Sequence, residues 1–293
     1  MKRIAVMTAN RSERGILQDF CDRYENNGKI ELFLKDIDDY IPVGYKQCEY
    51  ELGEFDGIFI LGDRPEMIAP AIYAVEHGIP IFHHHGGDDS NCGKDRDDKI
   101  RWAITMMANV HFAASTESYI RIKRVMDNSR RTVFAMPDDS IYHTGSITMD
   151  ICHEIEPARF NHKVALVLVN PMSGHGDVDF ELADEKEMYL IPPNGDPGSE
   201  LIVRKLKAIE KNHDNVHYGQ LERKKFISLL ASPEVTCYGN SSSFYIERTF
   251  WKKGSKLQAI GDRNSYREAD YWSGDKPAGE RIIEIMANEM KGK

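Results

Sequence analysis

The sequence predicts an α/β fold made of two successive domains, each a parallel sheet flanked by helices. Three observations predict it. Short apolar runs alternate with amphipathic stretches through the first half, the pattern of strands crossing over through helices. The alternation loosens over residues 138–162, where polar, Gly and Pro residues mix, and then resumes. At 293 residues and 41% hydrophobic composition, the chain can fill two cores.

In order, residues 4–9, 30–33, 57–61, 79–83, 110–114 and 132–135 read as strands, with helices at 14–26, 65–77, 97–108 and 117–127 between them. A linker is expected near 152–162. Strands then fit 164–169, 187–191, 215–218, 235–238 and 256–260, and helices fit 199–211, 223–231 and 242–252. The closing stretch 276–290 reads as one more helix. The expected domains are 1–155 and 156–275, with 276–293 as a C-terminal helix packing back on the first. Open parallel sheets bind ligands beyond the carboxyl ends of their strands. Motifs should therefore follow strands, facing an interdomain cleft.

A net charge of −9 argues against a wholly basic nucleic-acid binder, though Arg121, Lys123, Arg124, Arg130 and Arg131 form a local basic cluster. Five scattered cysteines imply neither zinc-finger spacing nor disulfides. With no signal-peptide pattern and no bilayer-length apolar run, a cytoplasmic protein without membrane contact is expected.

The strongest motif is Gly239-Asn240-Ser241-Ser242-Ser243, after a strand and opening a helix. Free N–H groups and the helix dipole suit a diphosphate there; an ordinary Ser N-cap is the plain alternative. Glu247 follows in the same helix, placed to accept from a ribose diol. Arg263 and Arg267 follow the next strand, and arginine suits phosphate. The loop Pro192-Pro193-Asn194-Gly195-Asp196-Pro197-Gly198-Ser199 reads as a base-binding loop or a rigid connection, with Asn194 and Gly198 as its contacts. In the first half, Thr8-Ala9-Asn10-Arg11, Gly62-Asp63-Arg64-Pro65-Glu66 and His83-His84-His85-Gly86-Gly87-Asp88 end strands. Asp97 and Asp98 open a helix running through Arg101. Strand alternation puts His83 and His85 on one face and His84 on the other. Adjacent strand residues cannot all converge on one ion, so no metal site is expected.

Taken together, these blocks resemble the UDP-N-acetylglucosamine 2-epimerase family, especially its hydrolysing branch, in order from Thr8 to Arg267. The resemblance implies two Rossmann-like domains of the glycosyltransferase-B type. It also implies that Ser241, Ser242 and Ser243 hold the diphosphate, that Glu247 holds the ribose, and that Arg11, Arg263 and Arg267 stand near the phosphates. Asp63, His85 and Asp97 would surround the sugar. No tightly bound cofactor is implied; the UDP-sugar is substrate, with magnesium compatible but not required. A homodimer is an expectation from resemblance alone.

The departures concern the sugar. The family usually has a glutamate where His85 stands. Its His-Pro turn appears here as Asn170-Pro171, and its Arg-His pair as Arg101-Trp102. The chain is short for the family between residues 30 and 57 and near 174–187, and His175 is a candidate substitute for the missing histidine. The preferred reading is a UDP-sugar-dependent glycosyltransferase with a hydroxyl acceptor. The suggested acceptor is a hydroxymethylated base such as 5-hydroxymethylcytosine of phage DNA, with Asp63, His85 or Asp97 as base and the basic cluster meeting phosphates. The alternative is a hydrolysing 2-epimerase that releases UDP and an N-acetylmannosamine-type sugar. A non-enzymatic nucleotide-sugar sensor is a third reading.

Overall fold

The computed structural model describes residues 1–9, 11–37, 52–90, 96–130, 140–171, 186–196, 198–267, 270–271 and 276–291. The chain divides into two compact units. Unit 1 comprises Met1–Asp89, Arg96–Asp150 and Asp270–Lys293; unit 2 comprises Ser90–Asp95 and Ile151–Ala269.

Unit 1 carries strands β1 (Lys2–Thr8), β2 (Ile30–Asp36), β3 (Gly57–Leu61), β4 (Ile81–His84), β5 (Val110–Ala113) and β6 (Ile141–His143). They form one parallel sheet in the order β2-β1-β3-β4-β5-β6. Its helices are α1 (Arg11–Tyr24), α2 (Ile68–His77), α3 (Arg96–Met107), α4 (Thr116–Arg130) and, from the end of the chain, α8 (Ala278–Glu289). The apolar runs are strands with both faces covered. On β1, Ile4 and Val6 enter one core while Ala5 and Met7 enter the other; on β3, Phe59 and Leu61 oppose Ile58 and Ile60. α8 contributes Ala278, Ile282, Ile283 and Met286 to the first core, each large side chain stabilising by roughly 1.5–3 kcal/mol. Asp150 caps α8 by accepting the N–H groups of Ala278 and Gly279, both at 2.8 Å, and the Tyr24 hydroxyl at 3.0 Å. Strand order reverses between β1 and β3. The crevice beyond their carboxyl ends, after Thr8 and Leu61, is the ligand-binding position of such a sheet.

Unit 2 carries β7 (Val164–Leu168), β8 (Glu187–Leu190), β9 (Val216–Tyr218), β10 (Val235–Gly239) and β11 (Lys256–Ala259), a parallel sheet in the order β11-β10-β7-β8-β9. Helices α5 (Ser199–Asn212), α6 (Arg223–Ala231) and α7 (Ser242–Tyr245) accompany it. Here the order reverses between β7 and β10, so the loops starting at Val169 and Asn240 flank the crevice.

Three local expectations need correction or placement. The helix expected over 242–252 breaks at Ile246 (φ −102°, ψ −81°) and continues as a 3-10 turn, Glu247–Phe250. The Thr249 hydroxyl takes the Ile246 carbonyl at 2.6 Å, a side-chain bond that competes with the helical ladder. The strand expected at 132–135 lies outside the described residues, while β6 at 141–143 and the 3-10 turn Ile147–Glu154 were not expected. His85 has left β4 with a left-handed φ of 62°, so strand alternation does not reach it. Its ring lies 4.5 Å from that of His84, and His83 points elsewhere.

Candidate functional site

In unit 1 the carboxyl ends of β3 and β4 gather a buried polar cluster. The three histidines diverge. His83 donates Nε2–H to the Gly62 carbonyl at 2.8 Å and brings Nδ1 within 3.2 Å of the Thr105 hydroxyl. His84 donates Nδ1–H to the Phe112 carbonyl at 2.9 Å and accepts the Ile147 N–H on Nε2 at 3.2 Å. Burial pushes His83 down to about 4 and His84 well below the ordinary histidine range, so both rings are neutral braces.

His85 is placed differently. Nδ1 lies 2.8 Å from Asp88 Oδ2, and Nε2 lies 2.7 Å from Ser146 Oγ. Asp88 also accepts the Ser118 hydroxyl at 2.6 Å and the Tyr271 hydroxyl at 3.4 Å. With Asp88 accepting from these hydroxyls, Nδ1 is assigned the imidazole proton and Nε2 the lone pair, an assignment that follows from the bonding network. Ser146 Oγ in turn accepts from the Thr148 N–H at 3.3 Å and lies 2.9 Å from its hydroxyl. The bonds run one way, from Thr148 through Ser146 and His85 to Asp88. Gly87 makes the turn possible: at φ +74° a Cβ would stand 2.6 Å from the Ser118 carbonyl.

Arg101 organises the other side of the cluster. It is 1% exposed, donates Nη1–H to the Asp88 carbonyl at 2.9 Å and to Asp98 Oδ1 at 2.6 Å, and bonds Asp63 Oδ2 through Nη2. Asp63 is thus tied to a guanidinium. Asp98, not Asp97, joins this group; Asp97 sits in the first turn of α3 with Arg96 3.6 Å away. Arg11 opens α1 directly after the β1 crevice.

Unit 2 presents the second set. Gly239 ends β10 at φ +151°, where a Cβ would stand 2.0 Å from the Leu168 carbonyl, so only glycine lets β10 pass β7 this closely. Asn240 is fully buried and its amide is committed: Oδ1 accepts the Asn170 N–H at 2.7 Å and Nδ2 donates to the Asn170 carbonyl at 3.0 Å. It clasps the two loops of the crevice. Ser241 is the N-cap of α7, accepting the Ser243 N–H at 3.4 Å, and Ser242 opens the helix. Ser243 Oγ donates to Glu247 Oε1 at 3.3 Å. Asn264, at φ 63°, donates to the Asn240 carbonyl at 2.7 Å and accepts Arg267 Nε at 2.6 Å. Arg267 also reaches Ser90 at 3.4 Å, and Arg263 holds the Pro171 carbonyl at 2.8 Å. Across the sheet, Gly198 at φ 95° is the N-cap of α5, and the Asn194 carbonyl accepts the Ser199 hydroxyl.

Sequence reasoning missed Asp88, Ser146 and Tyr271 as partners of His85, and Arg101 as partner of Asp63. It also missed Arg223, whose Nη2 lies 3.3 Å from Glu247 Oε1. Asp98 and Arg101 stand three apart on one helix, a spacing that could have signalled their pairing. Nothing local marks Ser146, which is 61 residues from His85. His175, Asn10 and Pro197 lie outside the described residues.

Comparison with known proteins gives concordant matches. The model of a family described as UDP-N-acetylglucosamine 2-epimerase matches residues 49–173. The UDP-N,N'-diacetylbacillosamine 2-epimerase (hydrolyzing) of Legionella pneumophila is 30% identical over 225 residues, 73% of this chain and 58% of that protein. The chain spans somewhat over half the length of the curated relatives it matches. The S. aureus MnaA–UDP structure superposes with a TM-score of 0.70 at 15% identity, covering 99% of this chain and 97% of that one. Methanocaldococcus jannaschii UDP-GlcNAc 2-epimerase, in complex with UDP-GlcNAc and UDP, gives 0.69 at 11% identity, covering 98% and 99%. The fold is therefore the α/β architecture of two Rossmann-like domains of glycosyltransferase-B type.

These matches overturn the glycosyltransferase reading, with its phage-DNA acceptor, because family model and curated relative alike point to 2-epimerases. Within the basic cluster expected to meet DNA, Arg121 is engaged in unit 1 while Lys123 and Arg124 are exposed. Arg121 Nε donates to the Gly87 carbonyl at 2.6 Å, and Lys123 stands 6.0 Å over the Tyr119 ring. The side chains of Arg130 and Arg131 lie outside the described residues. No helix among the described residues is long and apolar enough to cross a membrane.

Proposed function

We propose, on the premise that the chain belongs to the UDP-N-acetylglucosamine 2-epimerase family, that it hydrolyses a UDP-2-acetamido sugar with inversion at C2. The observation that carries this reading is the 30% identity to the hydrolysing diacetylbacillosamine enzyme across 73% of the chain. In this reaction a base removes the C2 proton and UDP leaves C1, giving the unsaturated sugar. Water then adds at C1 and a proton returns to the opposite face of C2. The products are UDP and the free C2 epimer.

The half-site of unit 2 takes the nucleotide. Ser241, Ser242 and Ser243 supply donors to the diphosphate, Arg263 and Arg267 supply positive charge, Glu247 accepts from the ribose, and Asn194 and Gly198 line the base loop. Asn240 shapes the turn rather than meeting the ligand, since its side chain is spent on Asn170, its N–H on the Leu168 carbonyl and its carbonyl on Asn264. Arg11 adds charge for the phosphates. In unit 1 the base is His85. Asp88 fixes its tautomer, and the Ser146 hydroxyl turns away when Nε2 takes the carbon-bound proton. Asp63, held by Arg101, and Asp97 bind sugar hydroxyls. The serine donors and the two arginines of unit 2 stabilise the charge on the leaving diphosphate without a tightly bound metal.

The test is incubation with UDP-N-acetylglucosamine and, separately, UDP-N,N'-diacetylbacillosamine, following UDP and free sugar by mass spectrometry and chromatography. Equimolar UDP and the 2-epimer from either substrate supports the reading. UDP release with the sugar unepimerised sinks it. Tight binding without turnover of either would favour a sensor, a reading supported by Asn170 and Trp102 standing in place of family histidines.

A further inference from the structure

Glu247 is 1% exposed and has the Arg223 guanidinium beside it, 3.3 Å away. It opens the 3-10 turn that follows the break at Ile246 and is buried there. Its two bonds converge on one atom. Oε1 accepts from Ser243 Oγ at 3.3 Å and from Arg223 Nη2 at 3.3 Å. Among the described residues Oε2 makes no hydrogen bond, yet it is absent from the fully buried unsatisfied atoms. The carboxylate is thus held by one oxygen and offers the other. Arg223 opens α6, an element with no part in the phosphate turn, and its side chain is itself largely buried.

We propose that Arg223 is a positioning residue of the nucleotide half-site. It pins Oε1 of Glu247 and so turns Oε2 to accept from a ribose hydroxyl, which makes the site select ribonucleoside diphosphates over their 2′-deoxy counterparts. The inference rests on the reading of Glu247 as the ribose acceptor. A hydrogen bond to a charged acceptor discriminates against a ligand lacking the donor by about ten- to a hundredfold.

The experiment is calorimetric titration of the full chain with UDP and with 2′-deoxy-UDP, the readout being the ratio of dissociation constants. The wild-type protein should prefer UDP by roughly tenfold or more. Glu247→Gln and Arg223→Gln should each bring the ratio to within about twofold of unity. Arg223→Lys keeps a cation beside Glu247 and should retain an intermediate ratio, with thermal melts confirming that each variant is folded. An unchanged ratio in Arg223→Gln, beside a collapsed ratio in Glu247→Gln, overturns the positioning role and leaves the ribose reading standing. Should Arg223→Gln not fold, a ratio in Arg223→Lys equal to that of Glu247→Gln overturns pairing by charge. A wild-type ratio near one overturns the ribose reading and this inference with it, and no binding of UDP removes the proposed function as well.

Discussion

His85 donates its Nδ1–H to Oδ2 of Asp88 over 2.8 Å, from a backbone turn at φ 62° that a non-glycine residue adopts at a cost. The carboxylate fixes the tautomer, and with it the nitrogen that can accept a proton. Asp88→Asn should therefore lower kcat by about two to four orders of magnitude, as a misdirected imidazole does elsewhere. KM for the UDP-sugar should change by less than about threefold, because Asp88 acts on the tautomer of His85 and is not among the residues proposed for the nucleotide. Steady-state kinetics on the variant checks both.

The Arg101 guanidinium holds two carboxylates in a place where it is itself buried. Arg101→Met leaves Asp98 without its cation in a site only 2% exposed, and should cost about 3–5 kcal/mol in urea unfolding. Adding Asp98→Asn in the same chain should recover part of that loss, since the two residues are coupled. Strict additivity of the two would contradict the pairing.

Acid should loosen unit 1 before any carboxylate is exhausted. Burial lowers His83 from 6.5 to about 4 and His111 to about 3, with His84 lowered too. Their neutral forms belong to the folded state, and the unfolded chain takes up the protons first. Stability from these groups is complete above about pH 6.5 and falls as pH drops towards 4, by up to ~1.4 kcal/mol per pH unit for each ring. Melting temperature followed from pH 7.5 to 4.5 should decline, and His111→Phe should flatten the decline.

Gly239→Ala places a methyl group 2.0 Å from the Leu168 carbonyl at a φ of +151°. Backbone and phosphate turn must both shift, so UDP affinity in calorimetry should fall by at least about tenfold.

The strands were legible because both faces of each sheet are covered. Runs such as Gly57–Leu61 then carry apolar residues at every position, and their ends locate the crevices. Gly239 and the serines after it were legible because a strand-to-helix turn of this kind has local requirements. What stayed hidden depends on contacts between distant residues. His85 reads as a strand residue until the turn at Gly86 and Gly87 is built. Ser146 and Tyr271 reach it from far along the chain. Glu247 reads as a ribose acceptor within a continuous helix, while the break at Ile246 and the partner Arg223 carry no local signal. Transfer was preferred over hydrolysis because two family histidines are missing, and absence of those groups was a weaker guide than the length of the match.

The central claim is that the bond between C2 and its hydrogen breaks during turnover. The most direct measurement is turnover of the UDP-2-acetamido sugar in deuterium oxide, with the released sugar analysed by mass spectrometry and NMR. The account predicts one deuteron at C2 of an inverted product, with His85→Gln and Asp88→Asn lowering the rate of its formation but not its deuterium content. Free sugar carrying its original hydrogen and configuration at C2 would contradict it.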